Sequence, residues 1–350
     1  MGKVRFHVIA MFICVFAISG LKGQDTHYSM FNLAPMELNP ALAGLNNCDY
    51  RIVANARTQW STVSGIGNAY NTFGASADFA VGKVTKFNSF AGIGISVISD
   101  FSGATSYKTD RAALTAAYHF MLDRRGNASI SAGLQVAFNY RGFTPGTFDD
   151  QYNPQTGHYD PSLPSGENFA RNNMVYVDAG FGLLYSQYFK RRKNNIYIGL
   201  AVDHVNQPNI SWQTPGVYNN SSSDDKLFAK VTIHGGASFQ VGDKVWIMPN
   251  FMLLFQGPSQ EYDLGAMVRF RVGNTISTTF MYVGAQYRAP LDAFAPMVRL
   301  DYKGFTAGFS YDINISKLIP ASQTVGAPEL AIMYTGCLRK KPHPYLCPTL

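Results

Sequence analysis

The stretch FDDQYNPQTGHYDP, residues 148–161, gathers Asp149, Asp150, Gln151, Tyr152, Asn153, Tyr159 and Asp160 within a few positions. Carboxylate and amide oxygens are what a hard cation such as calcium takes, but the spacing is not that of an EF-hand loop and no glutamate closes it. The Asn-Pro, Thr-Gly and Asp-Pro pairs explain the same residues as turn formers. Asp149, Asp150, Gln151, Tyr152 and Tyr159 then stand as candidate contacts to a protein partner, because aromatic residues are favoured anchors at interfaces. The histidines His27, His119, His158, His204, His234 and His343 are scattered, and no H-x-x-x-H, CxxC or G-x-S-x-G pattern supports a metal centre or a nucleophile. No catalysis, metal or cofactor is expected. The formal net charge of +7 invites a nucleic-acid reading, but the basic residues cluster in short connecting segments rather than on a stacking surface, so nucleic acid is discounted.

The elements that must position such residues begin after residue 23. Lys3 and Arg5, the apolar run Val8 to Ile18 and the small residues Ser19, Gly20 and Gly23 have the layout of a secretory signal peptide. The chain divides into a signal peptide (1–23), an N-terminal segment (24–49), a β-barrel (50–338) and a basic periplasmic tail (339–350). Cys14 lies in the apolar run without a lipoprotein pattern around it. Past that run nothing approaches the roughly 18 apolar residues of a membrane helix, and the mean hydropathy is -0.06. Yet only 15% of residues are charged, with 32 Gly, 20 Tyr and 25 Phe. That mixture suits a sheet with one apolar and one polar face, as in an outer-membrane barrel.

Periodicity supports this fold. In ASISAGLQVAFNY, the residues Ala128, Ile130, Ala132, Leu134, Val136, Phe138 and Tyr140 alternate with Ser129, Ser131, Gly133, Gln135, Ala137 and Asn139, a two-residue period over a membrane-spanning length. The same template places strands near 50–61, 70–81, 89–99, 108–122, 128–141, 174–188, 196–205, 227–239, 245–255, 262–272, 278–287, 295–302, 305–314 and 328–338. The result is a closed antiparallel transmembrane barrel of about fourteen strands, an even number that puts both chain ends on the same side. Connections alternate between short segments and long ones such as Gly142 to Asn173 and Asn206 to Lys226. The short set is basic, with Lys83, Lys86, Arg124, Arg125, Lys190, Arg191, Arg192, Lys193, Lys244 and Lys303 against Asp123 and Asp243. These charges either keep turns solvated or form a basic periplasmic rim that docks an acidic or polar assembly.

Before the first strand, LNPALAG reads as one capped helical turn: Asn39 as N-cap, Pro40 at the first helical position, Ala41 within it, and Gly44 just past its end. A single turn is unstable alone. The glycines Gly92, Gly94, Gly133, Gly180, Gly182, Gly199, Gly265 and Gly308 fall mostly on the polar, lumen-facing side of the strands. They either admit another backbone or ease bending; the first reading makes Asn39, Pro40, Ala41 and Gly44 part of a plug. Three cysteines remain after signal removal. Cys48 precedes the first strand and Cys337 ends the last, which closure makes neighbours about 4.8 Å apart, so Cys48 can bridge Cys337 or, through the tail, Cys347. A Cys337–Cys347 loop and three free thiols are the alternatives.

QDTHYSMFNLAPMELNPALAG followed by DYRIVANARTQWSTV resembles the opening of the PorP/SprF family of outer-membrane proteins of the type IX secretion system. FDDQYNPQTG, DHVNQPNISW, MPNFMLLFQGPSQEYDLGAMVRF, VGAQYRAPLDAF, GFSYDIN and PELAIMY continue the resemblance in order. The resemblance implies a non-catalytic barrel in the outer membrane of a diderm bacterium, in contact with its lipid. It would support secretion or surface anchoring of a large protein such as a gliding adhesin by receiving that protein's C-terminal domain, with other type IX components at the periplasmic rim. The alternative is a FadL-like or porin-like diffusion channel for small apolar solutes.

Overall fold

A computed structural model describes residues 25–60, 70–82, 89–103, 106–123, 126–144, 146, 148–164, 166, 171–189, 194–212, 225–274, 278–290, 292–317, 319–322 and 324–338. Strands β1 (Tyr50–Gln59), β2 (Tyr70–Val81), β3 (Ser89–Ser102), β4 (Tyr107–Met121) and β5 (Ala128–Gly142) follow one another around the wall. A small hairpin, β6 (Tyr152–Asn153) with β7 (His158–Tyr159), stands apart from it. The wall resumes with β8 (Asn173–Phe189), β9 (Asn194–Asp203), β10 (Lys230–Gln240), β11 (Val245–Gln256), β12 (Ser259–Arg271) and β13 (Phe280–Ala289). It ends with β14 (Ala293–Tyr302), β15 (Phe305–Asn314) and β16 (Ala327–Gly336). Every wall strand pairs antiparallel with its neighbours, and β1 pairs with β16 from Tyr50↔Gly336 to Arg57↔Glu329, so the ring closes. A closed ring leaves no strand edge unpaired.

The two-residue period decides which face is which. In β5 the side chains of Ile130, Leu134, Val136 and Phe138 are exposed on the outside, whereas Ser129, Ser131, Gln135 and Asn139 are buried inside. Leu114, Tyr118 and Phe120 of β4 and Ile93, Ile95 and Val97 of β3 extend the apolar outer band, the surface a bilayer requires. One end of the barrel carries short connections. There Lys303 and Gly304, with φ of 47° and 87°, join β14 to β15, the doubly left-handed pair that matches strand twist in a two-residue hairpin. The opposite end carries the long connections, including 143–172 and 204–229. Below, these are the turn end and the loop end.

Fourteen strands occur at the expected places, with shifts of a few residues at their ends. The segment 148–161 is more ordered than its turn signals imply, because Tyr152 pairs with Tyr159 and Asn153 with His158 across the small hairpin. The even strand count puts the start of β1 and the end of β16 together at the turn end, but the residues before β1 turn back into the barrel. The described chain therefore starts at the opposite, loop end.

Candidate functional site in the filled lumen

Residues 25–49 run down the inside of the barrel as a strap. Asp25 donates its backbone N–H to Gln256 at the loop end of β11 (2.9 Å), and Asp49 donates to the Gly336 carbonyl at the turn end of β16 (3.1 Å). Between them the strap makes three short helical turns, Phe31–Leu33, Pro35–Leu38 and Pro40–Leu42. The last is the capped turn of the sequence: the Asn39 side chain accepts the Ala41 N–H at 2.8 Å, Pro40 opens the turn, and Gly44 follows with φ of 71°. Ala41, Leu42 and Ala43 are fully buried. The first two turns were not expected; Pro35 starts one of them, but no side chain caps either.

The lumen glycines lie where the strap comes close. A Cβ at Gly92 would collide with the Ala43 carbonyl, one at Gly133 would stand 2.5 Å from Ala41 N, and one at Gly182 would strike the Asn39 side chain. At Gly94 it would meet Met36 at 2.5 Å, and at Gly308 Leu33 at 2.6 Å. Gly199 faces both His234 and Asn39. Gly180 and Gly265 differ, because what they face belongs to the wall: Asp203 for the first, Gln286 and Asn250 for the second.

A strap this short cannot satisfy its own backbone, and wall side chains do it instead. Glu329 accepts the N–H groups of Ser29 and Met30 (2.8 and 2.9 Å), and Asp78 accepts that of Gly44 (2.7 Å). Arg51 donates to the Leu42 carbonyl (2.9 Å), Asn55 to that of Leu33 (3.3 Å) and Gln135 to that of Met36 (3.4 Å). Asn39 donates to the carbonyls of Leu183 and Leu200, and its Nδ2 lies 3.0 Å from His234 Nε2. His119 spans the Ala43 carbonyl (2.8 Å) and Ser131 Oγ (2.7 Å). Histidines dispersed along the sequence thus converge on the strap: His119, His204 and His234 contact it, and His27 is part of it.

Two ionic clusters fix the strap near the loop end. In one, His204 lies between Asp25 and Asp178, Lys230 reaches Asp203 at 3.0 Å and Asp25 at 3.8 Å, and Arg141 stands 3.9 Å from Asp25. Burial would raise the Asp25 carboxyl, but His204, Lys230 and Arg141 outweigh it and hold it below the usual carboxylate range. Burial would lower the His204 imidazole; Asp178 and Asp25 reverse that and raise it, which favours the imidazolium that donates to both. In the other, Arg57 pairs with Asp312 at 2.8 Å, while Arg288 pairs with Glu261 at 2.9 Å and Asp312 at 3.3 Å. Ser29 Oγ donates to Asp312 (2.7 Å) and accepts from Arg288 (3.0 Å). Buried pairs of this kind add specificity of position more than net stability. Sequence reading missed both clusters; their signal was charged residues at lumen-facing positions inside strands, such as Arg57, Arg111, Asp178 and Arg288.

Other candidate residues lie apart. Tyr152 and Tyr159 are half exposed on the small hairpin, their rings edge to face at 5.3 Å. Gln151 lies buried beneath them and donates to the Leu163 carbonyl at 2.8 Å, whereas Asp150 is exposed. Asp149 belongs to a short turn, Asp149–Gln151, and its side chain lies outside the described residues. So do most of the basic short-connection residues and Cys347; Lys244 and Lys303 lie at the turn end. No group of three or more metal-ligating side chains occurs among the described residues.

The structure joins Cys48 to Cys337 as a disulfide, with Cα atoms 4.6 Å apart, beside the Tyr50↔Gly336 pair that closes the ring. Asp49 accepts the Leu338 N–H at the same place (2.6 Å). We expect the pair to form in the native envelope. Non-reducing peptide mapping should recover a Cys48–Cys337 cross-link, and Cys48 recovered only as a free thiol would contradict it.

Among solved structures, the toluene transporter TbuX of Ralstonia pickettii superposes with a TM-score of 0.50 at 11% identity, over 86% of this chain and 92% of the transporter. A FadL homologue of Pseudomonas aeruginosa gives a TM-score of 0.50 at 10% identity, over 85% of this chain and 92% of the homologue. At such identities the likeness shows a common barrel fold and says nothing of cargo. No curated protein is detectably similar in sequence. Residues 20–334, which span the strap and nearly the whole wall, match the sequence profile described as type IX secretion system membrane protein PorP/SprF. With its outer apolar band and closed fourteen-strand ring, the chain belongs to the PorP/SprF family of outer-membrane barrels of type IX secretion.

Proposed function

We propose that this barrel is a non-catalytic scaffold that holds a large type IX substrate protein at the cell surface by receiving its C-terminal domain. The observation that carries the reading is the strap. Residues 25–49 occupy the lumen and are bonded to the wall along its length, an arrangement suited to a rigid platform rather than to an aqueous pore. In this reading 1–23 is a signal peptide, the strap is a plug, the long connections face outward, and Asp149, Asp150, Gln151, Tyr152 and Tyr159 contact the held protein. Tyr152 and Tyr159 are the anchor pair, since half-exposed aromatics lose little freedom on docking. Other type IX components would meet the basic turn end.

Deleting the gene should remove at least one large protein from the cell surface and leave nutrient uptake unchanged. Proteomics of shaved surface protein, run beside uptake assays, is the test. A complete surface set with defective uptake of one apolar solute would replace the scaffold with a diffusion channel.

A further inference from the structure

A cavity of about 430 Å³ opens at the turn end of the lumen, between the strap and strands β12 to β16. Its charges are unevenly balanced. Arg51 is neutralised by Asp78, which it grips through Nε and Nη2 at 2.9 and 3.1 Å. Arg299 is neutralised by Asp301 at 2.9 Å, which also accepts the Tyr282 and Thr306 hydroxyls (2.6 and 2.7 Å). Arg269 has no carboxylate within ion-pair distance among the described residues, and its buried Nε has no hydrogen-bond partner. Its guanidinium rests instead against Trp246 and Phe280, 4.2 and 4.8 Å from the ring centres. Arg271 lies over the same two rings at 5.3 and 5.2 Å.

We propose that this cavity recognises the free terminal carboxylate of a polypeptide, with Arg269 as its principal ligand. The guanidinium packs against two aromatic rings set edge to face, 6.0 Å apart at 78°, and a planar carboxylate is the anion whose shape fits its N–H edge in a bidentate pair. Phe280 and Met333 line the same space from the inner row of their strands and suit an apolar side chain next to that carboxylate. Asn32, Asn46 and Thr335 add groups able to hydrogen-bond a peptide backbone. The cavity opens on the inner side of the wall, so a lipid phosphate would have to leave the bilayer to enter it. A chain arriving in the compartment at the turn end would not.

The site goes beyond the scaffold reading, since it specifies the chemistry of one chain end whether or not that chain is a secretion substrate. Calorimetry on the full-length protein in detergent tests it with a pentapeptide ending in phenylalanine, as free acid and as C-terminal amide. The free acid should bind at least about tenfold more tightly, the scale of a charge-assisted bidentate pair. Arg269→Gln should reduce it to the level of the amide, and Arg269→Lys should restore part of the difference. Equal binding of acid and amide to the unaltered protein would overturn the proposal without any variant having to fold. Inorganic phosphate displacing the peptide with equal strength would overturn it as well. If the acid is preferred while the deletion strain keeps all its surface proteins, the pocket stands and the scaffold reading falls.

Discussion

The unaltered barrel should pass no current in a planar bilayer, and Gly92→Ala should make it conduct. The new Cβ would collide with the Ala43 carbonyl oxygen and lie 2.5 Å from its carbon. Neither backbone has room to retreat. His119 holds the Ala43 carbonyl at 2.8 Å, Asp78 holds the Gly44 N–H at 2.7 Å, and Gly92 is itself in the β2–β3–β4 ladder. Overpacking of a well-filled core costs about 1–3 kcal/mol, and each strap hydrogen bond given up costs roughly 1 kcal/mol more. Leaving the wall is then the easier relaxation for the strap, while the apolar outer face that directs insertion is unchanged. Gly180→Ala is the control: the atoms nearest its Cβ, Asp203 Oδ1 at 2.9 Å and Val202 O at 3.2 Å, belong to the wall. Silent Gly92→Ala barrels, inserted as well as the unaltered protein, would show that the added methyl does not displace the strap, and conduction by the unaltered protein would show that the strap does not block the lumen.

Asp78→Ala should be the most destabilising single loss of charge in the wall, at about 3–5 kcal/mol. Asp78 is fully buried and serves three donors: Arg51 Nε, Arg51 Nη2 and the Gly44 N–H. Its removal leaves a buried guanidinium without a counter-ion and a strap N–H without an acceptor. Asp78→Asn keeps an acceptor for Gly44 and should lie between the two. The readout is the temperature at which the folded barrel band converts to the unfolded band in detergent electrophoresis. An Asp78→Ala barrel converting at the temperature of the unaltered one would end this account of the strap's anchorage.

The wall was legible in the sequence because its determinant is local. Each strand has an apolar outer row and a polar or small inner row, as in Ile130 to Phe138 of β5, and two-residue alternation reports that directly. The capped turn at Asn39 to Gly44 was legible for the same reason, since cap, proline and left-handed glycine sit within a few residues. What the strap leans on was only half legible. Strand glycines allow either bending or close approach, and geometry separates Gly92, Gly133 and Gly182, which face the strap, from Gly180 and Gly265, which face the wall. The ionic clusters were not legible, because Ser29 and Asp312, or Asp25 and His204, are brought together by closure of the whole ring. Nothing in the spacing of such residues along the chain records that they meet.

The strap's course also constrains the order of assembly. Residues 25–49 lie inside the ring that β1 and β16 close, so they are enclosed either before that seam forms or afterwards by feeding an end through the turn-end mouth. Before closure the route is sideways and short; afterwards it is a thread through a packed bore. The strap, synthesised before any strand of the wall, is therefore best installed while the last strand is still unpaired. A bulky group fused just ahead of Asp25 has to cross to the loop end with it, and would delay ring closure rather than weaken the closed ring.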